Sequence, residues 1–293
     1  MTRIVVGNRD GALALSQARS IVADLTSEWP DLNLVQKTVP TGTDGDTAAL
    51  LSALTRNQLS IAVVNMERLP GELPEGLTLA AVTRRLEARS TLLGKGYRDI
   101  SDLPAGARVG VPGVRDMLFL KAIAPEVEAV QFEGGLDDNL KRLAQGDVQG
   151  LLMPASILIG LDRRHVIEEL LDAELFPPAG GQGSLGLVTR EDDDASSELA
   201  YTMQHRPSLD RVKAERTFAV ALQNGDSRVM QQDGVYAISA LATVTSDGEL
   251  TLFGAVVAEN GTMLQATTSG EASEAADLGR ELAEDFKAQL TNL

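Results

Sequence analysis

An alternation of short apolar runs with amphipathic stretches, repeated twice and then abandoned, most constrains this chain. Residues 3–6 read as a buried strand and 7–11 as a turn. Residues 12–29 read as a helix whose apolar positions are Leu13, Leu15, Ile21, Val22 and Leu25. Residues 32–39 supply the next strand, 48–55 a short helix, and 61–64 and 77–82 two further strands. The pattern then starts again: strands over 108–111, 128–132 and 150–153, helices over 114–123, 136–145 and 155–159. Strands separated by helices predict parallel sheets joined by right-handed crossovers, here in two similar lobes with a cleft between them.

From residue 236 the period changes from helical to two. Residues 235–244, 250–258 and 262–268 alternate as strands, joined at Ser246-Asp247-Gly248 and Asn260-Gly261, which demand hairpins. A last helix over 274–290 carries Ala275, Leu278, Leu282, Ala283, Phe286 and Leu290 on one face. The fold class is therefore α/β, with two lobes plus a C-terminal α+β domain built on a three-stranded antiparallel sheet. The expected divisions are 1–84 with 183–204 for the first lobe, 89–176 for the second and 207–293 for the C-terminal domain.

Composition limits the function. The 293 residues carry 42 acidic against 26 basic side chains, a formal net charge of −16. Such a surface repels nucleic acid and anionic membranes, and a small anion requires a local basic cleft. No apolar run is long enough to span a bilayer, and the first residues lack a signal-peptide core, so the expected location is cytoplasmic. There is no cysteine, which excludes disulfides, thiolate metal sites and a thiol nucleophile. Two histidines, His165 and His205, are too few for a histidine metal site and are read as surface residues; no metal is expected.

Three local features bear on a site. Arg9 precedes the first helix, whose free N–H groups favour an anion; Asp10 can cap the same helix, and both can be true. Gly181, Gly183 and Gly186 form a G-x-G-x-x-G, but a loop precedes them and an extended segment follows. A hinge or cleft-floor loop fits that context better than a dinucleotide site. Residues 209–229 read as a helix leading into a tight turn at Asn224-Gly225 and then a short loop, with Ala214-Glu215-Arg216 inside the helix.

These segments carry a resemblance. Arg9 with Leu13-Ala14-Leu15 and Gln17-Ala18, Leu73-Pro74-Glu75-Gly76-Leu77, Leu103-Pro104-Ala105-Gly106, Gly181-Gln182-Gly183 with Gly186, Arg190-Glu191-Asp192-Asp193 and Ala214-Glu215-Arg216 resemble, in order and spacing, the porphobilinogen deaminase (hydroxymethylbilane synthase) family. The resemblance implies two periplasmic-binding-protein-like (type II) lobes plus an α+β domain that carries a covalent dipyrromethane. It also implies condensation of four porphobilinogens with release of ammonia. That chemistry needs a thiolate anchor, a carboxylate beside cationic pyrrole intermediates and arginines for the substrate's carboxylates.

Position by position, the resemblance puts other residues in those places. Asp226 stands at the cysteine position. Glu67 stands at the lysine and Arg68 at the catalytic aspartate, within Val64-Asn65-Met66-Glu67-Arg68-Leu69-Pro70. Arg115 is kept, but Asp116 follows it where a second arginine belongs. Phe132-Glu133-Gly134-Gly135 and Asp138-Asn139-Leu140 each lack an arginine, and Gly11 replaces a serine beside Arg9. Arg9, Arg115 and Arg89 remain as the anion-binding set. The sequence thus reads as a family member of tetrapyrrole (porphyrin, heme) biosynthesis that is a pseudoenzyme, with no cofactor expected. Its expected partners are a small anionic ligand in the interlobe cleft and a protein of the tetrapyrrole pathway. Two alternatives stand beside this: an active hydroxymethylbilane synthase with unconventional primer attachment, and a two-lobed small-anion binding or regulatory module.

Overall fold

The computed structural model describes residues 3–40, 46–132, 134–223, 236–258 and 260–290. It divides into two compact units, each with its own core.

The first unit comprises residues 1–86, 160–162 and 183–210. Its sheet contains β1 (Arg3–Arg9), β2 (Asn33–Val39), β3 (Ile61–Asn65), β4 (Leu77–Val82) and β9 (Leu185–Arg190), in the order β2-β1-β3-β9-β4. Helices α1 (Ala12–Glu28), α2 (Asp46–Thr55) and α6 (Asp194–Tyr201) flank it. Ile4, Val6, Ile21, Leu25, Ile61, Val63 and Leu187 form its core. Strands β1, β2 and β3 run parallel, as predicted, but β9 is antiparallel to both β3 and β4. The purely parallel sheet expected from the alternation is therefore corrected to a mixed one. Periodicity reports which face a strand buries, and β9 is buried on both faces whichever way it runs.

The second unit comprises residues 87–159, 163–182 and 211–293. Strands β5 (Ser90–Gly94), β6 (Arg108–Val111), β7 (Glu128–Gln131) and β8 (Gly150–Pro154) lie in the order β5-β8-β6-β7. Here β5 is antiparallel to β8, so this sheet is mixed as well. Strand β5 falls in a stretch where the sequence marked no strand. Helices α3 (Val114–Ile123), α4 (Leu136–Gln145) and α5 (Ala155–Gly160) follow their strands as expected.

Helix α7 (Arg206–Gln223) begins earlier than periodicity suggested. Pro207 is tolerated there because a first-turn N–H has no intrahelical partner to lose. The predicted turn at Asn224-Gly225 and the loop after it, with Asp226, lie outside the described residues. Strands β10 (Tyr236–Val244), β11 (Glu249–Ala258) and β12 (Met263–Glu271) form an antiparallel meander, and α8 (Ala275–Leu290) covers it. One face of that sheet buries Ala240, Leu250, Leu252 and Val256 against Phe218 of α7 and Phe286 of α8. The two rings meet edge to face, 5.1 Å between centroids. The other face, through Ala237, Ala255 and Val257, joins the core around Phe119 and Phe176.

Helix α6 follows β9 directly. Asp193 caps it, accepting a hydrogen bond from the Ser196 backbone at 3.1 Å. Each unit holds one mixed sheet of this kind, and no described helix is long and apolar enough to cross a membrane.

Candidate functional site

Arg9 ends β1, half-buried and in register with Val39 of β2. The strand end is stiffened by Asn8, which is fully buried: its Oδ1 accepts from Gln36 Nε2 at 2.9 Å and its Nδ2 donates to the Arg9 carbonyl at 2.7 Å. Helix α1 then starts without a side-chain cap. Its N-cap is Gly11, with φ of 100°, so the reading of Asp10 as the capping residue is corrected. A serine at that φ would be strained, and glycine is not.

Glu67 and Arg68 sit side by side on a single 3-10 turn, Met66–Arg68, immediately after β3. The turn is anchored by the Met66 N–H donating to the Ser184 carbonyl at 3.0 Å. Arg68 Nε and Glu67 Oε1 are 4.0 Å apart, and the Arg68 side chain is 53% exposed. Where the resemblance implies a cation followed by an anion, the same turn presents an anion followed by a cation.

Arg89 and Arg115 belong to the second unit. Arg89 grips Glu87 bidentately, Nε to Oε1 at 3.0 Å and Nη2 to Oε2 at 2.9 Å. The hydrogen bonds from Arg89 hold the Glu87 carboxyl below its usual value, and Glu87 in return raises Arg89. Arg115 is more deeply committed. Its Nη1 donates to the Pro177 carbonyl at 2.7 Å and to Ser239 Oγ at 2.6 Å, and its Nη2 bonds Asp116. The guanidinium carbon also lies 5.6 Å from the Phe119 ring centroid and 5.7 Å from that of Phe176.

At Asn139, where the resemblance implies an arginine, the side chain is buried and turned back on its own helix start. Its Nδ2 donates to the Gly135 carbonyl at 2.9 Å and to that of Gly134 at 3.4 Å. Glu133 and Asp226 lie outside the described residues.

Of the predicted residues, then, the structure joins Glu67 to Arg68, Arg89 to Glu87 and Arg115 to Asp116. Each pair is close in sequence. Sequence reasoning missed two residues that hold the frame. Arg190 donates to the Leu59 carbonyl at 2.8 Å and to Asp193 at 2.8 Å, tying α6 to the end of β9. Glu215, wholly buried, accepts from the backbone of Gly181 at 2.7 Å and of Ala242 at 2.8 Å. Both stand in segments that carried the resemblance. Neither lies inside an apolar run, so periodicity gave no signal for them. His205, read as a surface residue, is half-buried at the start of α7, its Nδ1 2.8 Å from Ser208 Oγ.

Residues 4–198 match the family model described as porphobilinogen deaminase, dipyromethane cofactor binding domain. The porphobilinogen deaminase of Thermus thermophilus is 37% identical over 299 residues, covering 99% of this chain and 97% of that protein. That of Deinococcus radiodurans is 35% identical over 304 residues, covering 98% and 96%. The expectation that no cofactor is involved is corrected by the matched domain, because the family is one that uses dipyrromethane. A missing thiol removes one covalent bond, and the matched domain ends at residue 198, before the position 226 at which the resemblance implies the anchor. The residues present do not fit thioether attachment, since the chain holds no cysteine. In sequence over nearly its whole length, the chain belongs to the porphobilinogen deaminase family.

Proposed function

We propose that this protein serves tetrapyrrole biosynthesis without itself condensing porphobilinogen. The observation that carries the reading is the Met66–Arg68 turn, where the guanidinium of Arg68 occupies the place at which the resemblance implies a catalytic carboxylate. A carboxylate there would stabilise cationic pyrrole intermediates, and a guanidinium repels them. Removing one such electrostatic stabiliser costs about a hundred- to a thousand-fold in rate. Replacing it with the opposite charge costs more, because the attraction is not only lost but inverted.

Two arrangements support the reading. The guanidinium of Arg115 is occupied by Asp116, Pro177 and Ser239, so an incoming carboxylate would have to displace partners already in place. Asn139 fills a position where an arginine is implied and bonds its own turn through Nδ2. The protein would act by binding, with a small anion or a protein of the same pathway as its partner.

A second reading is favoured by the 37% and 35% identities to enzymes named porphobilinogen deaminase. In it the chain remains an active synthase whose primer is held without a thioether. One experiment separates the two. Purified protein is incubated with porphobilinogen, substrate consumption and uroporphyrin formed on oxidation are followed, and intact mass is taken from the same sample. No consumption is the expected result. Turnover, or an added dipyrromethane mass, would establish the second reading instead.

A further inference from the structure

In the second unit a cavity of about 530 Å³ lies between the sheet β10-β11-β12 and the segment 172–174. Strand register builds its floor. Leu241, Phe253 and Thr267 stand in one row across the three strands, with Thr243 beside Thr251 in the next, so all five share one face. The deeper residues of that face, Ala237, Ala255 and Val257, join the core around Phe119 and Phe176. The segment opposite is pinned at both ends. The Leu171 N–H donates to the Ser90 carbonyl of β5 at 2.9 Å, and Gln265 Nε2 of β12 donates to the Glu174 carbonyl at 2.8 Å. Asp172, Glu174 and Arg89 complete the lining. We propose that this cavity binds a small primary amine with an apolar body, its ammonium held by Asp172 and Glu174.

The size falls in the range of small-molecule sites, and an apolar floor with a few convergent polar groups is their usual make-up. Charge selects the ligand. One edge of the Arg89 guanidinium is taken by Glu87, through Nε at 3.0 Å and Nη2 at 2.9 Å. One cation therefore stands among three carboxylates, Glu87, Asp172 and Glu174, and the local field is negative. That field draws an ammonium and opposes an anion. The carboxylates also keep acceptor capacity. The Glu174 side chain makes no hydrogen bond or ion pair with any described residue. Asp172 commits one oxygen, Oδ1, which accepts from the Glu174 N–H at 2.8 Å. The hydroxyls of Thr243 and Thr267 have no partner among the described residues. An ammonium has three donors and no acceptor, so carboxylate and hydroxyl oxygens around one cavity match it. Leu241 and Phe253 receive the carbon body, and an aromatic ring attracts a cation as well.

The site stands apart from the reading of the condensation chemistry, and the two fail separately. Turnover of porphobilinogen bears on the chemistry, while the titration below bears on the cavity alone. Full-length protein is titrated calorimetrically with phenethylamine and, separately, with its neutral analogue phenethyl alcohol and the anion hydrocinnamate. The amine is expected to bind saturably and the alcohol about tenfold more weakly, the scale of one charge-assisted hydrogen bond; hydrocinnamate should bind more weakly still. Asp172→Asn and Glu174→Gln should each weaken the amine about tenfold, since each removes a charge and keeps an acceptor. Glu128→Gln, which alters an exposed carboxylate on β7 paired with Arg108, should leave it unchanged. All three carboxylates are exposed, so the variants should fold, and an unchanged melting temperature checks this. The proposal is overturned if the amine does not bind, if the alcohol or hydrocinnamate binds as tightly, if neither cavity variant weakens the amine, or if Glu128→Gln weakens it as much as they do.

Discussion

Glu215, at the middle of α7, accepts a 2.7 Å hydrogen bond from the backbone N–H of Gly181, 34 residues earlier in the chain. Its other oxygen accepts from the N–H of Ala242 in β10 at 2.8 Å, and the side chain is entirely buried. One carboxylate thus joins a helix, a glycine loop and a sheet edge. Neither N–H has water to fall back on, so the acceptor is what makes the burial affordable. Glu215→Gln places an amide NH₂ against one of two backbone donors. It should lower unfolding free energy by about 2–4 kcal/mol, read from the urea midpoint. Equal midpoints for the two proteins would show that the loop does not depend on this carboxylate.

Glycine in a helix interior normally weakens it, so replacement by alanine usually stabilises by about 1 kcal/mol. Gly279 of α8 should behave in the opposite sense. A Cβ there would stand 2.5 Å from the Ala214 carbonyl oxygen and 2.9 Å from Thr217 Cβ, both on α7. Backbone cannot yield as a long side chain can. Gly279→Ala should therefore destabilise by about 1–3 kcal/mol, the usual cost of overpacking. A rise in melting temperature would mean that the two helices separate easily.

These two positions show what the sequence makes legible. Element existence was readable wherever apolar period and turn residues agreed: α3, α4 and β6 have the bounds that periodicity predicts. Strand direction was not readable, because a strand buried on both faces carries the same apolar run either way, hence the antiparallel β9. The site was legible only through resemblance. Residue types gave the reversals at Glu67 and Arg68, but nothing in spacing revealed that Arg115 is already occupied. The acceptors, Pro177 and Ser239, lie 62 and 124 residues away. Glu215 was hidden for the same reason.

The Glu87–Arg89 pair makes stability depend on pH in a defined window. Hydrogen bonding from Arg89 holds Glu87 below its ordinary value of 4.5 in the folded chain. A depressed carboxyl stabilises the fold fully above its unfolded value. That contribution is lost as pH falls through the lower, folded value. Both side chains are partly exposed, 25% for Glu87 and 42% for Arg89, so screening limits the effect to about 0.2–1 kcal/mol. The melting-temperature gap between wild type and Glu87→Gln should be constant near neutrality and close below about pH 4.5. A gap that persists into stronger acid would assign the difference to packing.

Arg115 offers the sharpest choice between a residue that waits for a ligand and one that holds the fold. The guanidinium reaches the Pro177 carbonyl, Ser239 Oγ and Asp116, and lies against two phenylalanine rings. Asp116 is itself buried, with 11% of its side chain exposed. Deleting the cation would leave that carboxylate without its partner and two acceptors without donors. Breaking a buried pair from one side costs about 3–5 kcal/mol. Arg115→Gln should lose about that much, and Asp116→Asn less, because an amide oxygen still accepts from the guanidinium. Arg115→Lys should fall between, since an ammonium keeps the charge but cannot span Pro177, Ser239 and Asp116 with one planar fork. An anion-binding arginine would give the reverse pattern: removal would relieve repulsion from neighbouring cations and leave stability level or raised. Thermal and urea unfolding of the three variants, without any ligand, distinguishes the two roles.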